Sequence, residues 1–154
     1  MAASDILQWL QARRVSRRAG SMGSMSDDLR AIARDLKQVS ALLKIVFRLM
    51  ELWKLDTRQQ TTLLGVRSVS TIYRWKNHGT KRLRLETLER MAHLLAIHKL
   101  LRLFFPRNRD MAYNWIWTRN KAACFGGKRP IDIMLRGKMS DLFLVRDYLD
   151  HAAG

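Results

Sequence analysis

Thr57-Arg-Gln-Gln-Thr-Thr-Leu-Leu-Gly-Val-Arg-Ser-Val-Ser-Thr-Ile-Tyr-Arg-Trp-Lys76 is the stretch on which the fold turns. It reads as two short helices around a tight turn. Asp56 or Thr57 caps a helix over Arg58 to Leu64, Gly65 supplies a left-handed stop, and Ser68 caps a second helix running to about Asn77. Two helices cross steeply only if something small lies at their contact. Thr61 is that side chain, while Leu64 packs beneath the turn. Ile72 and Trp75, three residues apart, put the inner face of the second helix on the core. Ser68, Val69, Ser70, Tyr73, Arg74 and Asn77 are then left pointing outward.

The segment resembles phage-repressor-type helix-turn-helix domains, with one residue more in the turn than their commonest form, so the base-contact register is open by one position. The resemblance implies that the N-terminal part of the second helix meets base edges. Serine and asparagine suit hydrogen bonds to bases, Val69 a thymine methyl, and Arg74 a guanine or a phosphate. Arg67, Lys76, Lys81, Arg82 and Arg84 surround this face and suit phosphate contacts.

Charge points the same way. The 154 residues hold 29 Lys and Arg against 13 Asp and Glu, a formal charge of +16. Such an excess fits a polyanionic partner: nucleic acid first, then an anionic membrane surface or an acidic protein. Charge alone leaves a merely basic surface open. No stretch approaches the ~20 apolar residues that span a bilayer. The apolar patch Ile6 to Leu10 precedes Arg13, Arg14, Arg17 and Arg18, the reverse of a secretory signal, so a cytoplasmic protein is expected. The single cysteine, Cys124, has no partner for an internal disulfide and is expected as a small packing residue. Neither metal-ligand spacing nor a phosphate loop nor a nucleophilic triad occurs, so no catalytic residue, metal or cofactor is expected.

On the N-terminal side, residues 1–25 form a basic segment without apolar period, expected to be flexible. Two readings stay open: translation from Met22 or Met25, or an arm that touches DNA phosphates. From Ser26, a helix cap followed by Asp27 and Asp28, Leu29, Leu36, Leu43 and Met50 recur every heptad; Ile32, Val39, Val46 and Trp53 repeat with an offset of three. This predicts one long helix to about Trp53, whose first half either pairs with a second copy or is an ordinary core-facing stripe. Its amphipathic character also raises a membrane-surface role, which its junction with a folded module disfavours.

On the C-terminal side, Leu85–Phe105 carries apolar residues at helical spacing and ends at Pro106. Residues 107–154 read as short helices: one from Asp110 through Trp115, one capped by Asn120, one begun by Pro130, and a last one opened by Ser140-Asp141 with Leu142, Val145 and Leu149 inward. Trp115, Ile116, Ile131, Ile133 and Leu149 can build a small core, and Gly126-Gly127 permits a sharp turn. No strand-like alternation appears, so the fold class is all-α. Its expected parts are residues 1–25, a DNA-binding domain over 26–106 and a C-terminal domain over 107–154.

Ala112-Tyr-Asn-Trp-Ile, Asn120, Phe125-Gly-Gly-Lys-Arg-Pro-Ile-Asp-Ile-Met134, Gly137 and Leu144-Val-Arg-Asp-Tyr-Leu149 resemble the toxin-binding domain of Xre/MbcA/ParS-like antitoxins. Leu63-Leu-Gly65, Tyr73-Arg-Trp-Lys76 and Leu88-Glu-Arg90 match that family's DNA-binding part, so the resemblance covers about 43–154. It implies a type II toxin–antitoxin system. By that resemblance the antitoxin covers the active-site entrance of a RES-domain, NAD-consuming toxin and represses the shared promoter, as a homodimer on a pseudo-palindromic operator within a larger complex. Carried over by motif, the toxin-facing candidates are Asn120, Gly127, Arg129, Pro130, Asp132, Arg146 and Tyr148. The competing expectation is a stand-alone helix-turn-helix repressor whose C-terminal domain only dimerises.

Overall fold

A computed structural model describes residues 22–154, and every regular element among them is helical. In chain order they are α1 (Met22–Arg34), α2 (Leu36–Leu52), α3 (Thr57–Leu64), α4 (Val69–His78), α5 (Leu85–Phe104), α6 (Arg109–Asn114), a 3-10 turn (Trp115–Trp117), α7 (Pro130–Met134) and α8 (Met139–Ala152). The expectations for residues 1–21 lie outside the described residues.

The expected single helix to Trp53 is two helices. Asp35 breaks it: its backbone is extended and its carboxylate accepts from the amides of Lys37 (2.9 Å) and Gln38 (3.4 Å), capping α2. The heptad stripe survives the break because both halves feed one core. Leu29 and Ile32 of α1 are buried in the cluster that holds Val39, Leu43, Val46, Met50 and Trp53 of α2, and only Leu36, at the junction, is exposed. The first half of the stripe is thus spent on packing within the chain. Ser26 lies inside α1 rather than capping it.

The spine of the fold is α5. It is buried almost all round, which is the pattern of a helix surrounded by others rather than of one lying on a surface. Helices α1, α2, α3, α6 and α8 all pack on it. Of the C-terminal core expected from Trp115, Ile116, Ile131, Ile133 and Leu149, the last four are buried, with Phe125, Met134, Leu142 and Val145 added, while Trp115 is half-buried and packs against them. Helix α6 starts one residue earlier than expected, because Asn108 rather than Asp110 is its cap and accepts from the Met111 amide at 3.0 Å. Residues 118–129 contain no helix, so Asn120 caps none. The last helix opens at Met139, a residue before Ser140. Cys124 is exposed rather than packed, since it sits on the rim of that irregular segment.

Candidate DNA- and partner-binding surfaces

The helix-turn-helix is built much as its residues dictate. Asp56 and Gln59 cap α3 reciprocally: the Asp56 carboxylate accepts from the Gln59 amide at 2.8 Å, and the Gln59 side chain accepts from the Asp56 amide at 2.9 Å. Gly65 ends α3 at φ 65°, and its amide donates to the Thr62 carbonyl. There is a second reason for glycine here. A Cβ at Gly65 would lie 2.6 Å from Nε of Arg90, which crosses beneath the turn. Ile72 is fully buried and Trp75 half-buried, so α4 is anchored by its inner face as expected.

Ser68, Ser70, Tyr73, Arg74 and Asn77 are exposed on the opposite face, and Val69 is half-buried. Tyr73, at 54% exposure, is a large side chain that the core leaves uncovered. Ser68 makes no cap bond to the backbone; its hydroxyl pairs with those of Ser70 (2.9 Å) and Thr71 (3.1 Å). Arg67, Lys81 and Arg82 are exposed around the helix. Lys76 is exposed too, but its ammonium lies 5.2 Å from the centre of the Phe47 ring, on the α2 flank.

The second surface belongs to the C-terminal elements. Arg129 makes a bidentate pair with Asp132, Nε to Oδ2 at 2.9 Å and Nη2 to Oδ1 at 2.7 Å, and its guanidinium lies 5.5 Å from the centre of the Trp117 ring. The Arg129 bonds hold the Asp132 carboxyl below its usual range, and Asp132 raises Arg129 in return. The Trp117 indole donates to the Trp53 carbonyl at 2.8 Å, tying this patch to the end of α2. Tyr148 of α8 stacks on Trp115 and meets Phe125 edge-on at 4.9 Å.

The candidate partner-facing residues therefore play different parts. Pro130 is buried at the start of α7. Asn120 braces the preceding turn: its amide donates to the Lys128 carbonyl, its carbonyl accepts from Gly127, and its Oδ1 accepts from Ala122 at 2.9 Å. Gly127 is half-buried at φ 76°. Arg146 and Tyr148, two apart on α8, flank its buried stripe on opposite sides. Arg146 lies instead beside Asp150 (3.6 Å) and His93 of α5.

Residues 38–96 match the sequence model of the antitoxin Xre-like helix-turn-helix domain, and residues 99–154 match that of the antitoxin Xre/MbcA/ParS C-terminal toxin-binding domain. The chain belongs to the Xre/MbcA/ParS-like antitoxin family. It is a DNA-binding antitoxin with a toxin-binding domain. Uncharacterized protein y4oB of Sinorhizobium fredii (strain NBRC 101917 / NGR234) is 38% identical over 120 residues, which cover 78% of this chain and 90% of that relative.

The two matched segments of the antitoxin meet within α5, and one side chain joins them physically. Arg90 is 5% exposed; it bonds the Glu86 carboxylate (3.1 Å) and the Gly137 carbonyl between α7 and α8 (2.8 Å) while lying against Gly65. In the sequence Arg90 stands out only as part of the family motif Leu88-Glu-Arg90. Nothing in its helical spacing signals that it reaches residues 25 before and 47 after it. No helix among the described residues is long and apolar enough to cross a membrane.

Proposed function

We propose that this antitoxin neutralises a RES-domain, NAD-degrading toxin by covering its active-site entrance and represses their common operon as a homodimer. The observation that carries the reading is the separation of the two surfaces. The DNA-facing helix α4 packs on α2 and α3, whereas the aromatic patch of Trp115, Phe125 and Tyr148 is built from the C-terminal elements. A promoter and a toxin then have separate places on one chain. Arg67, Ser68, Val69, Ser70, Tyr73, Arg74, Asn77, Lys81 and Arg82 carry the DNA contact, with Lys76 at its α2 edge. Gly127, Arg129, Asp132 and Tyr148 are the toxin-facing set; Asn120 and Pro130 act by shaping the backbone, and Arg146 marks the far flank of α8.

Co-expression tests the first half. The gene should adjoin one for a RES-type protein, and the chain should rescue growth of cells that express that protein and stop their loss of NAD. Failure to rescue, with operator binding intact, would leave a stand-alone repressor. The second half is read by a gel shift on the upstream promoter, where binding should fall steeply as salt is raised.

A further inference from the structure

The segment Thr118–Arg129 contains four cations, Arg119, Lys121, Lys128 and Arg129, and no carboxylate. Like charges crowded on a short turn repel one another, so such a segment is usually loose or locally neutralised. Here it is neither. Asn120 cross-braces the turn through three hydrogen bonds, and the Lys128 amide donates to the Phe125 carbonyl at 3.0 Å. Phe125, 1% exposed, pins the middle of the turn into the aromatic cluster.

Neutralisation is only partial. Arg129 is taken up by Asp132, and Arg119 lies close enough to that carboxylate to help lower its pKa. Lys121 and Lys128 are exposed and pair with no carboxylate among the described residues. At Gly126 and Gly127 a Cβ would meet nothing within 4 Å, so the outer side of the turn is open at these two residues. Both glycines have positive φ, 56° and 76°, which the turn itself demands.

We infer that this braced turn is the electrostatic contact of the toxin-binding surface, with Lys121 and Lys128 as its recognition charges and an acidic rim on the toxin as their partner. The inference rests on the toxin-neutralising reading above and moves its charge from Arg129, already satisfied by Asp132, to the two lysines. The braced backbone needs little further ordering on docking, and an uncompensated pair of cations steers an acidic partner during approach. DNA is the other polyanion in reach. The turn, however, is anchored on the C-terminal aromatic cluster, whereas α4 is anchored on α2 and α3.

The test uses the full chain and the purified RES-domain protein encoded next to its gene. Lys121→Glu with Lys128→Glu should slow association with that protein about tenfold at low salt, with the gap closing as salt rises. Lys121→Arg with Lys128→Arg should restore the wild-type rate, and all variants should melt like wild type because both side chains are exposed. Wild-type binding with an unchanged rate in the glutamate variant overturns the inference and leaves the neutralising function standing. No wild-type binding overturns both. A glutamate variant that binds the toxin normally but loses operator affinity makes the turn a phosphate contact instead.

Discussion

Helix α4 and the turn at 118–129 both display positive charge, yet they are built in opposite ways. In α4 the backbone is regular and self-satisfied, and Ile72 is its one fully buried residue, so the outer face is free to vary without disturbing the core. In the turn the backbone is irregular and held from within by Asn120, and its middle residue, Phe125, is buried. The first suits a partner with a repeating groove, because helical spacing places successive side chains along it. The second suits a single concave site, because Asn120 and the buried Phe125 hold its backbone in one irregular shape.

That contrast makes the two regions separable, and the sharpest attempt to break it is Phe125→Ala. Removing a buried ring that contacts Trp115 and Tyr148 should cost about 3–5 kcal/mol. Thermal melting would show it, and toxin capture should fail before operator binding does. The converse change, Tyr73→Ala with Arg74→Ala, should lower operator affinity by about a hundredfold in a gel shift while leaving melting and toxin capture untouched. Unchanged operator binding would remove this face from the DNA contact.

Gly65→Ala probes the junction between the regions. It meets both a positive φ and the Arg90 side chain, so a loss of about 1–3 kcal/mol is expected in a denaturant melt. The damage should extend to toxin binding if Arg90 is pushed off the Gly137 carbonyl.

Acid should act on α5 itself. His93, beside Arg146, and His98, beside Arg102, are both lowered from 6.5 to about 4, first by burial and then by the neighbouring guanidinium. Both are neutral in the folded chain at pH 6, while the unfolded chain takes up protons below 6.5. Stability is therefore full above that value and declines as pH falls toward 4. The melting temperature should drop between pH 7 and pH 5, and His93→Gln with His98→Gln should flatten the drop. The smallest effect belongs to Lys76→Met, which should reduce the salt slope of operator binding by about 1 if this ammonium leaves Phe47 for a phosphate.

Much of the helix-turn-helix was legible because its signals are local: a cap at Asp56 or Thr57, a left-handed glycine at position 65, and a three-residue step from Ile72 to Trp75. Each depends on residues within a turn or two of one another. The break at Asp35 was hidden because apolar repeats continue through it. A helix that folds back on itself and one that runs straight can bury the same stripe. Asp35 itself was the available signal, since a short acidic side chain favours a cap over a helix interior. Cys124 was misplaced because irregular turns give no periodicity from which to read a face.

The sequence by itself determined the helical class, the outward face of α4, the basic charge and the family motifs of the C-terminal segment, because periodicity and capping act over a few residues. Only the tertiary structure decided that α1 packs on α5, that Arg90 joins Gly65 to Gly137, that Arg129 is spent on Asp132, and that Arg146 meets His93 while Tyr148 meets Trp115 and Phe125. Those outcomes depend on which groups meet across long stretches of chain. Helical spacing says which way a side chain points, but not what stands opposite it.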